Sequence, residues 1–372
     1  MAILKKIYKK IYFIIRYKRQ ITLPEIGLNG QEKIARARVL CVGAGGLGSP
    51  ALLYLAAAGI GHIGIIDFDR VDESNLQRQV LFTTDGIGQP KAVQAKERLQ
   101  ALNPEIEITV YEDELNAENA PDLFQAYDII LDGTDNFETK FLINDAAVKY
   151  KKPWVYGAIQ GFDGQASVFD AQTGPCYRCL YPEKPKARIA NCAEAGVIGA
   201  VAGLIGVTQA LQVIQLVTRH ESFEPLFGKL WTLDTKTMQT RILNIPKNPD
   251  CPACSKKRDN VILAYSSPVC GFVPELTPQQ ACDRSDSCLV DVREQEEWDQ
   301  GHIDGARLWP LSKMMAGDMP DLPQEMEIIL HCQKGMRSLQ AAQILKAQGY
   351  LDVYSLSGGY EAWVSCFEAA SE

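Results

Sequence analysis

The sequence predicts an α/β protein built as two successive units, each a largely parallel sheet carrying helices. Three observations point there. At 372 residues the chain exceeds what one hydrophobic core usually serves. Its first part alternates short Val/Ile/Leu runs with helical stretches, and the first run opens straight into a glycine-rich turn. The alternation restarts near residue 275, after a basic, serine- and proline-containing stretch without periodicity. The expected organisation is an extension at 1–15, a first domain at 16–256, a linker at 257–274 and a second, smaller domain at 275–372.

Composition narrows the function classes. With 46% apolar and 23% charged residues and a net charge of -8, the chain has no electrostatic reason to bind nucleic acid. Eleven cysteines, an odd number, fit a reducing compartment better than a disulfide framework, so a cytoplasmic protein is expected. In the extension, Ile3, Leu4, Ile7, Tyr8, Ile11 and Tyr12 recur at helical spacing opposite Lys5, Lys6, Lys9 and Lys10. That basic amphipathic helix has too short an apolar core for a secretory signal; it reads as a dispensable extension, a peripheral anchor or a partner helix. Ala195 to Thr218 carries no charge and is long enough to span a bilayer. Gln209, Gln212 and Gln215 give it a polar stripe, and Gly196, Gly199, Gly203 and Gly206 permit close packing, so a buried helix is expected and no integral membrane association.

The first domain begins with a strand at Val39–Val42, the turn Gly43-Ala-Gly45-Gly46-Leu-Gly48 and an Ala/Leu-rich helix. That is a Rossmann-like nucleotide-binding unit: glycines let backbone approach phosphates, and the helix start offers N–H groups to an anion. A second strand, Ile63–Ile66, ends in Asp67, where a ribose-binding acid belongs. The glycine pattern by itself also fits a nicotinamide-dependent dehydrogenase. Asp69, Asn75, Arg78, Gln79 and Lys91, and a third strand carrying Asp132 and Asp135, argue for phosphate chemistry instead. Arg78 and Lys91 would neutralise a triphosphate such as ATP, and Asp135 would hold Mg2+ between phosphates.

Cys176-Tyr-Arg-Cys179 and Cys251-Pro-Ala-Cys254 form two Cys-x-x-Cys knuckles. Two such knuckles in one domain make a closed four-sulfur Zn2+ site with a structural role.

"RYKRQ" at Arg16–Gln20, "GAGGLGS", "DFDRVDESNLQRQ", "GQPK", "LDGTDNF", "CYRCLYPE" and "CAEAGVIG" together resemble the MoeB/ThiF family, the ubiquitin-activating-type adenylyltransferases of sulfur carrier proteins. The match covers about residues 16 to 254. The resemblance implies that ATP condenses with the C-terminal Gly-Gly carboxylate of a ubiquitin-like sulfur carrier protein to give an acyl-adenylate. It implies Asp135 on magnesium, Asp67 on the ribose, and Asn75, Arg78 and Lys91 on the phosphates, with Asp69 and Gln79 beside them. It also implies a homodimer in which Arg19 reaches into the partner subunit's site. Cys192 lies where related enzymes carry a cysteine that bonds covalently to the carrier; a small helix-start residue is the other reading.

In the second domain a strand ends in Asp291-Val-Arg293, and another, Ile328–Leu330, leads into "HCQKGMRS" and a helix expected at Ser338–Gln348. Cys332 thus stands at a strand's carboxyl end before a helix start, where loop N–H groups and the dipole lower a thiol pKa and make a nucleophile. Lys334, Gly335 and Arg337 favour an anion-binding loop. Cysteine-dependent phosphatases place five residues between Cys and Arg, whereas here only Gln333, Lys334, Gly335 and Met336 intervene. The loop, with "DVREQEEWDQGHIDGA" and its Asp291, Arg293 and His302, resembles the rhodaneses over about residues 275 to 367, which implies a persulfide on Cys332.

Joined on one chain, the two halves would let that persulfide displace AMP from the acyl-adenylate. A second thiol such as Cys192 would then cleave the acyl disulfide to a thiocarboxylate. The sulfur donor is expected to be thiosulfate or a cysteine desulfurase. The competing readings are adenylation of a small-molecule or tRNA carboxylate beside an independent sulfurtransferase, and a second domain that only docks a partner.

Overall fold

The computed structural model describes residues 11–183, 196–257, 260–263, 273–284, 287–315, 317–320, 322–324 and 326–368. The chain divides into two compact units, Met1–Tyr265 and Ser266–Glu372. Most of the expected amphipathic extension, residues 1–10, and Cys192 lie outside the described residues.

The first unit carries an eight-stranded sheet in the order β3-β2-β1-β4-β5-β6-β7-β8. Its strands are β1 Arg38–Val42, β2 His62–Ile66, β3 Glu107–Tyr111, β4 Ile129–Asp132, β5 Trp154–Gln160, β6 Asp163–Phe169, β7 Lys229–Asp234 and β8 Gln239–Asn244. Pairing is parallel from β3 to β5 and antiparallel from β5 to β8. The Val/Ile runs become strands because both faces are covered. Val39 and Cys41 of β1 pack with Ala51, Leu52 and Leu55 on one face, and Leu40 and Val42 pack with Phe141 and Leu142 on the other. Each such Val, Leu or Phe side chain removed from water stabilises by roughly 1.5–3 kcal/mol.

The chain leaves β1 toward β2 on one side and reaches β4 on the other, so strand order reverses there. Such a switch point opens a crevice outside the strands' carboxyl ends.

The apolar Ala195–Thr218 stretch forms the Gly199–Thr218 helix, which is long and apolar enough for a span, with mean hydropathy 1.7, yet half buried in the unit. Its polar stripe points inward: Gln209 Nε2 donates to the Asp132 and Val155 carbonyls at 2.7 and 3.2 Å, and Gln212 Oε1 accepts from Leu226 N at 2.7 Å. Two of the helix's three glycines serve close approach, since a Cβ at Gly199 or Gly206 would lie 2.3 or 2.4 Å from the Gln77 or Leu47 carbonyl oxygen. Gly196 and Gly203 face open space.

The second unit is a five-stranded parallel sheet ordered β11-β10-β12-β13-β9, with β9 Glu275–Leu276, β10 Cys288–Asp291, β11 Arg307–Leu308, β12 Ile328–His331 and β13 Val353–Leu356. Val290, Ile328, Leu330, Ala341, Leu345 and Val353 centre its core. At the edges of the expected linker, Val261 packs on the cysteine knuckles and Val273 joins the second core.

Candidate functional site

The crevice of the first unit is made by close backbone contact. Gly43 has φ +87° and donates its N–H to Ile66 O at 2.8 Å, while Gly133 donates to Val42 O at 2.8 Å. A Cβ at Gly48 or Gly133 would sit 2.1 or 2.2 Å from the Gly43 carbonyl oxygen, so the turn and the β4 end meet only as glycines. Asp67, at the end of β2, accepts from Ala44 N at 2.7 Å and from Asp69 N at 2.9 Å. Burial raises its pKa, opposed by Lys91 and by those two N–H donors. Lys91 opens the Lys91–Leu102 helix and pairs with Asp69 at 2.8 Å.

Arg78 lays its stem over Gly46, and the Gln79 amide nitrogen faces Gly45, each 3.6 Å from where a Cβ would stand. Asn75 Oδ1 organises both, accepting from Arg78 Nη2 at 3.1 Å and Gln79 Nε2 at 2.9 Å. Gln79 Oε1 is buried with no partner, an acceptor left over beside the open glycine turn. Asp135 is exposed at the rim, one turn past β4. Gly43, Gly45, Gly46, Gly48, Asp67, Asp69, Asn75, Arg78, Gln79, Lys91 and Asp135 therefore share one edge of the sheet, and the donors and acceptors suit a polyphosphate ester of a sugar.

Arg19 does not join them. The Lys18–Ile21 helix is tied through Gln20 to Ala58 O at 3.1 Å, the far end of the Gly48–Ala58 helix from the glycine turn. At 1.5 Å per residue that is about 16 Å away.

The four knuckle thiols come together: the Sγ atoms of Cys176, Cys179, Cys251 and Cys254 all lie within 4.8 Å of one another, with Cys176–Cys251 and Cys179–Cys254 at 3.5 Å. Tetrahedral zinc with Zn–S near 2.3 Å needs sulfurs about 3.8 Å apart, so the set fits Zn2+. The first knuckle is pinned by Asn144 Oδ1, which accepts from Tyr177 N at 2.8 Å, and by Asp145, which takes Arg178 Nε and Nη2 at 2.7 Å each.

In the second unit Cys332 is only 2% exposed and follows β12 directly. Its Sγ accepts from Gly335 N at 3.2 Å, and the Ser338 hydroxyl lies 3.8 Å away. Gly335 has φ +96° and caps a helix that runs Met336–Ala347, two residues ahead of the expected start, so that Arg337 belongs to its first turn. Gly359 closes the loop from behind, because a Cβ there would sit 2.3 Å from Cys332 O.

The loop's cations are not free. Arg337 donates Nη1 and Nη2 to the two carboxylate oxygens of Glu297 at 2.6 Å each, and Arg293 pairs with buried Asp291 at 2.7 Å while Nη1 holds Gln333 Oε1 at 3.0 Å. Lys334 lies 3.9 Å from Glu361. His302 is exposed and stacks on Trp298 with centroids 3.9 Å apart. A thiol with one N–H aimed at it, in a loop of balanced charge, can take up a neutral atom such as sulfur.

The ThiF family matches residues 17–253, and a Rhodanese-like domain matches 276–366. The chain belongs to the ThiF family. Its similarity to the probable adenylyltransferase/sulfurtransferase MoeZ of Mycobacterium tuberculosis is 43% identity over 370 residues, covering 94% of this chain and 92% of the relative. The sulfur carrier protein adenylyltransferase of Thermus thermophilus is 45% identical over 263 residues, 69% of this chain and 96% of that one. Adenylyltransferase and sulfurtransferase MOCS3 of Anopheles gambiae is 35% identical over 387 residues, 95% of this chain and 87% of that one. Among solved structures, Escherichia coli MccB in complex with MccA shares the fold, with TM-score 0.57 and 23% identity over 65% of this chain and 74% of that one.

In this ThiF family chain, the residues that sequence reasoning passed over lie beneath the crevice and beside the thiol. Lys140, from the Phe137–Tyr150 helix, donates to Asp132 Oδ2 at 2.6 Å, Thr134 O at 2.9 Å and Gly157 O at 2.8 Å. Asp132 in turn accepts from Thr134 N at 3.1 Å and Thr134 Oγ1 at 2.6 Å, which fixes the stem of the loop bearing Asp135. The available signal was a single lysine ahead of the apolar run Phe141-Leu-Ile143. Glu297 had no signal beyond membership of a charged helix.

Proposed function

We propose that the ThiF unit uses ATP to adenylate the C-terminal Gly-Gly carboxylate of a ubiquitin-like sulfur carrier protein, and that the rhodanese unit converts the product to a thiocarboxylate. The observation that carries this reading is the presence on one chain of a polyphosphate crevice at a sheet switch point and of a buried thiol in a charge-balanced loop. The relatives' names support it over nearly the whole chain.

In the crevice Asp67 would accept from the ribose, Arg78 and Lys91 would face the phosphates, and the glycine turn would let backbone approach them. Asp135 would hold Mg2+, because Asp132 is already engaged by Lys140 and Thr134. Magnesium there would neutralise phosphate oxygens. Zn2+ on the four knuckle cysteines would staple the domain and take no part in chemistry. Arg19, remote from its own crevice, would complete that of the partner in a homodimer. A cytoplasmic setting keeps the thiols reduced.

At Cys332 the thiolate would attack the sulfane sulfur of thiosulfate, expelling sulfite, or the outer sulfur of a cysteine desulfurase persulfide, expelling that enzyme's thiolate. The resulting persulfide attacks the acyl-adenylate, forming a carbon–sulfur bond as AMP leaves. A second thiol, proposed as Cys192, breaks the S–S bond; the carrier leaves as thiocarboxylate and the two cysteines are left as a disulfide for a cellular thiol to reduce.

The test is ATP–pyrophosphate exchange with each candidate Gly-Gly carrier, followed by mass spectrometry of the carrier after thiosulfate is added. Exchange with one carrier, plus an oxygen-to-sulfur mass gain lost in Cys332→Ala, is the expected result. No exchange with any carrier would sink the adenylation reading, and an unchanged thiocarboxylate yield from Cys192→Ala would remove that cysteine from the scheme.

A further inference from the structure

Glu297 stands on the short Gln295–Trp298 helix and engages both terminal nitrogens of Arg337, two parallel charge-assisted bonds of 2.6 Å. Its Oε2 also accepts from Glu294 N at 3.2 Å, closing a capping box, so the carboxylate is fixed to the helix start. The guanidinium raises no question of Glu297's charge, since Arg337 holds its pKa down to about 2. The pattern repeats around the thiol: Arg293 has Asp291 and Lys334 has Glu361. The two cations of the loop and Arg293 beside it are balanced by three carboxylates.

An oxyanion arriving at Cys332 therefore meets a guanidinium whose two terminal nitrogens are each already paired with Glu297, beside a carboxylate that repels it. We infer that Glu297 is a specificity-determining residue that holds down the affinity of the Cys332 loop for oxyanions, so that anionic sulfur donors of the thiosulfate class are handicapped against donors whose sulfane sulfur carries no oxyanion group. The inference rests on the reading of Cys332 as a sulfur acceptor, and it assigns to Glu297 what the loop sequence alone left to Arg337.

Glu297→Gln keeps the shape and removes the charge. Two quantities are read on the full chain: kcat and KM for sulfur transfer from thiosulfate to cyanide, and the sulfate concentration that half-protects Cys332 from iodoacetamide, followed by mass spectrometry. One freed charge-assisted donor pair corresponds to about a tenfold fall in KM and in the half-protecting sulfate concentration. The kcat is expected to stay within about twofold, since Glu297 does not touch the sulfur. Glu297→Asp, which keeps the carboxylate, returns both values toward wild type.

Unchanged KM and sulfate protection in Glu297→Gln would overturn the inference, and so would a raised KM with a fallen kcat, which would make Glu297 a mere prop for Arg337. Sulfate protection needs no turnover: a shift there without any sulfur transfer would uphold Glu297's control of oxyanion affinity while refuting Cys332 as sulfur acceptor and, with it, the donor preference. If the glutamine variant does not fold, Glu361→Gln relaxes the Lys334 pair and predicts a smaller fall, about twofold for so exposed a pair; no change there would also overturn the inference.

Discussion

Lys140 offers the sharpest test of how the crevice is supported. Its ammonium is buried and makes three bonds, to Asp132 Oδ2, Thr134 O and Gly157 O, while Asp132 is 0% exposed. Lys140→Met keeps the stem and removes the cation, leaving a buried carboxylate with only the Thr134 amide and hydroxyl as donors. Breaking such a pair from one side costs about 3–5 kcal/mol. For a domain of this size that corresponds to a thermal midpoint lowered by about 6–20 °C. The penalty is an uncompensated charge and not lost packing, so adding Asp132→Asn, whose amide oxygen still accepts from Thr134, should recover most of it. The freed Thr134 carbonyl also lets Asp135 drift, and a displacement near 1 Å is enough to slow adenylation about a hundredfold. Thermal unfolding by circular dichroism and ATP–pyrophosphate exchange read the two effects. A single variant within about 2 °C of wild type, or a double variant no better than the single, would refute the reasoning.

Arg78→Ala is expected to stay folded and lose about a hundredfold in adenylation rate, because one cation facing developing charge is worth roughly 3 kcal/mol; steady-state exchange and the thermal midpoint check both halves of that statement. Cys251→Ser should drop the zinc content measured by atomic absorption and lower the thermal midpoint, since three sulfurs no longer close the tetrahedron. The second unit should lose stability in two acid steps. His331, buried with Nε2 3.7 Å from Asp291, is pushed from 6.5 to about 4 by burial, which outweighs the opposing pull of that carboxylate, so the unfolded chain binds the extra proton and stability declines as pH falls from about 6.5 toward 4. Glu297, lowered from 4.5 to about 2, contributes stability that is whole above 4.5 and lost as pH falls toward 2. Thermal midpoints between pH 7 and pH 3 should show both slopes, and His331→Leu should abolish only the first.

The alternation of strand and helix, the glycine turn and the acids at the ends of β2, β4 and β10 were legible because they are local: each depends on residues a few positions apart. Val39–Val42, Gly43 to Gly48 and Asp67 declare themselves through periodicity and turn chemistry, and the four knuckle cysteines through spacing. The inward polar stripe of Gln209 and Gln212 was legible for the same reason. Helix starts were less so: the Met336 start depends on Gly335 taking φ +96° against Cys332, a tertiary contact.

By itself, then, the sequence determined the two α/β units and pointed to the chemistry expected at each candidate site, because those patterns are written in short stretches. Only the tertiary structure decided which charges are spent. Lys140 and Asp132 neutralise each other under the crevice, leaving Asp135 at the rim; Glu297 occupies Arg337; Arg19 belongs to a helix tied to the end of the Gly48–Ala58 helix that lies away from the glycine turn. Pairings of that kind join residues far apart in the chain, and nothing in the spacing of either partner announces the other.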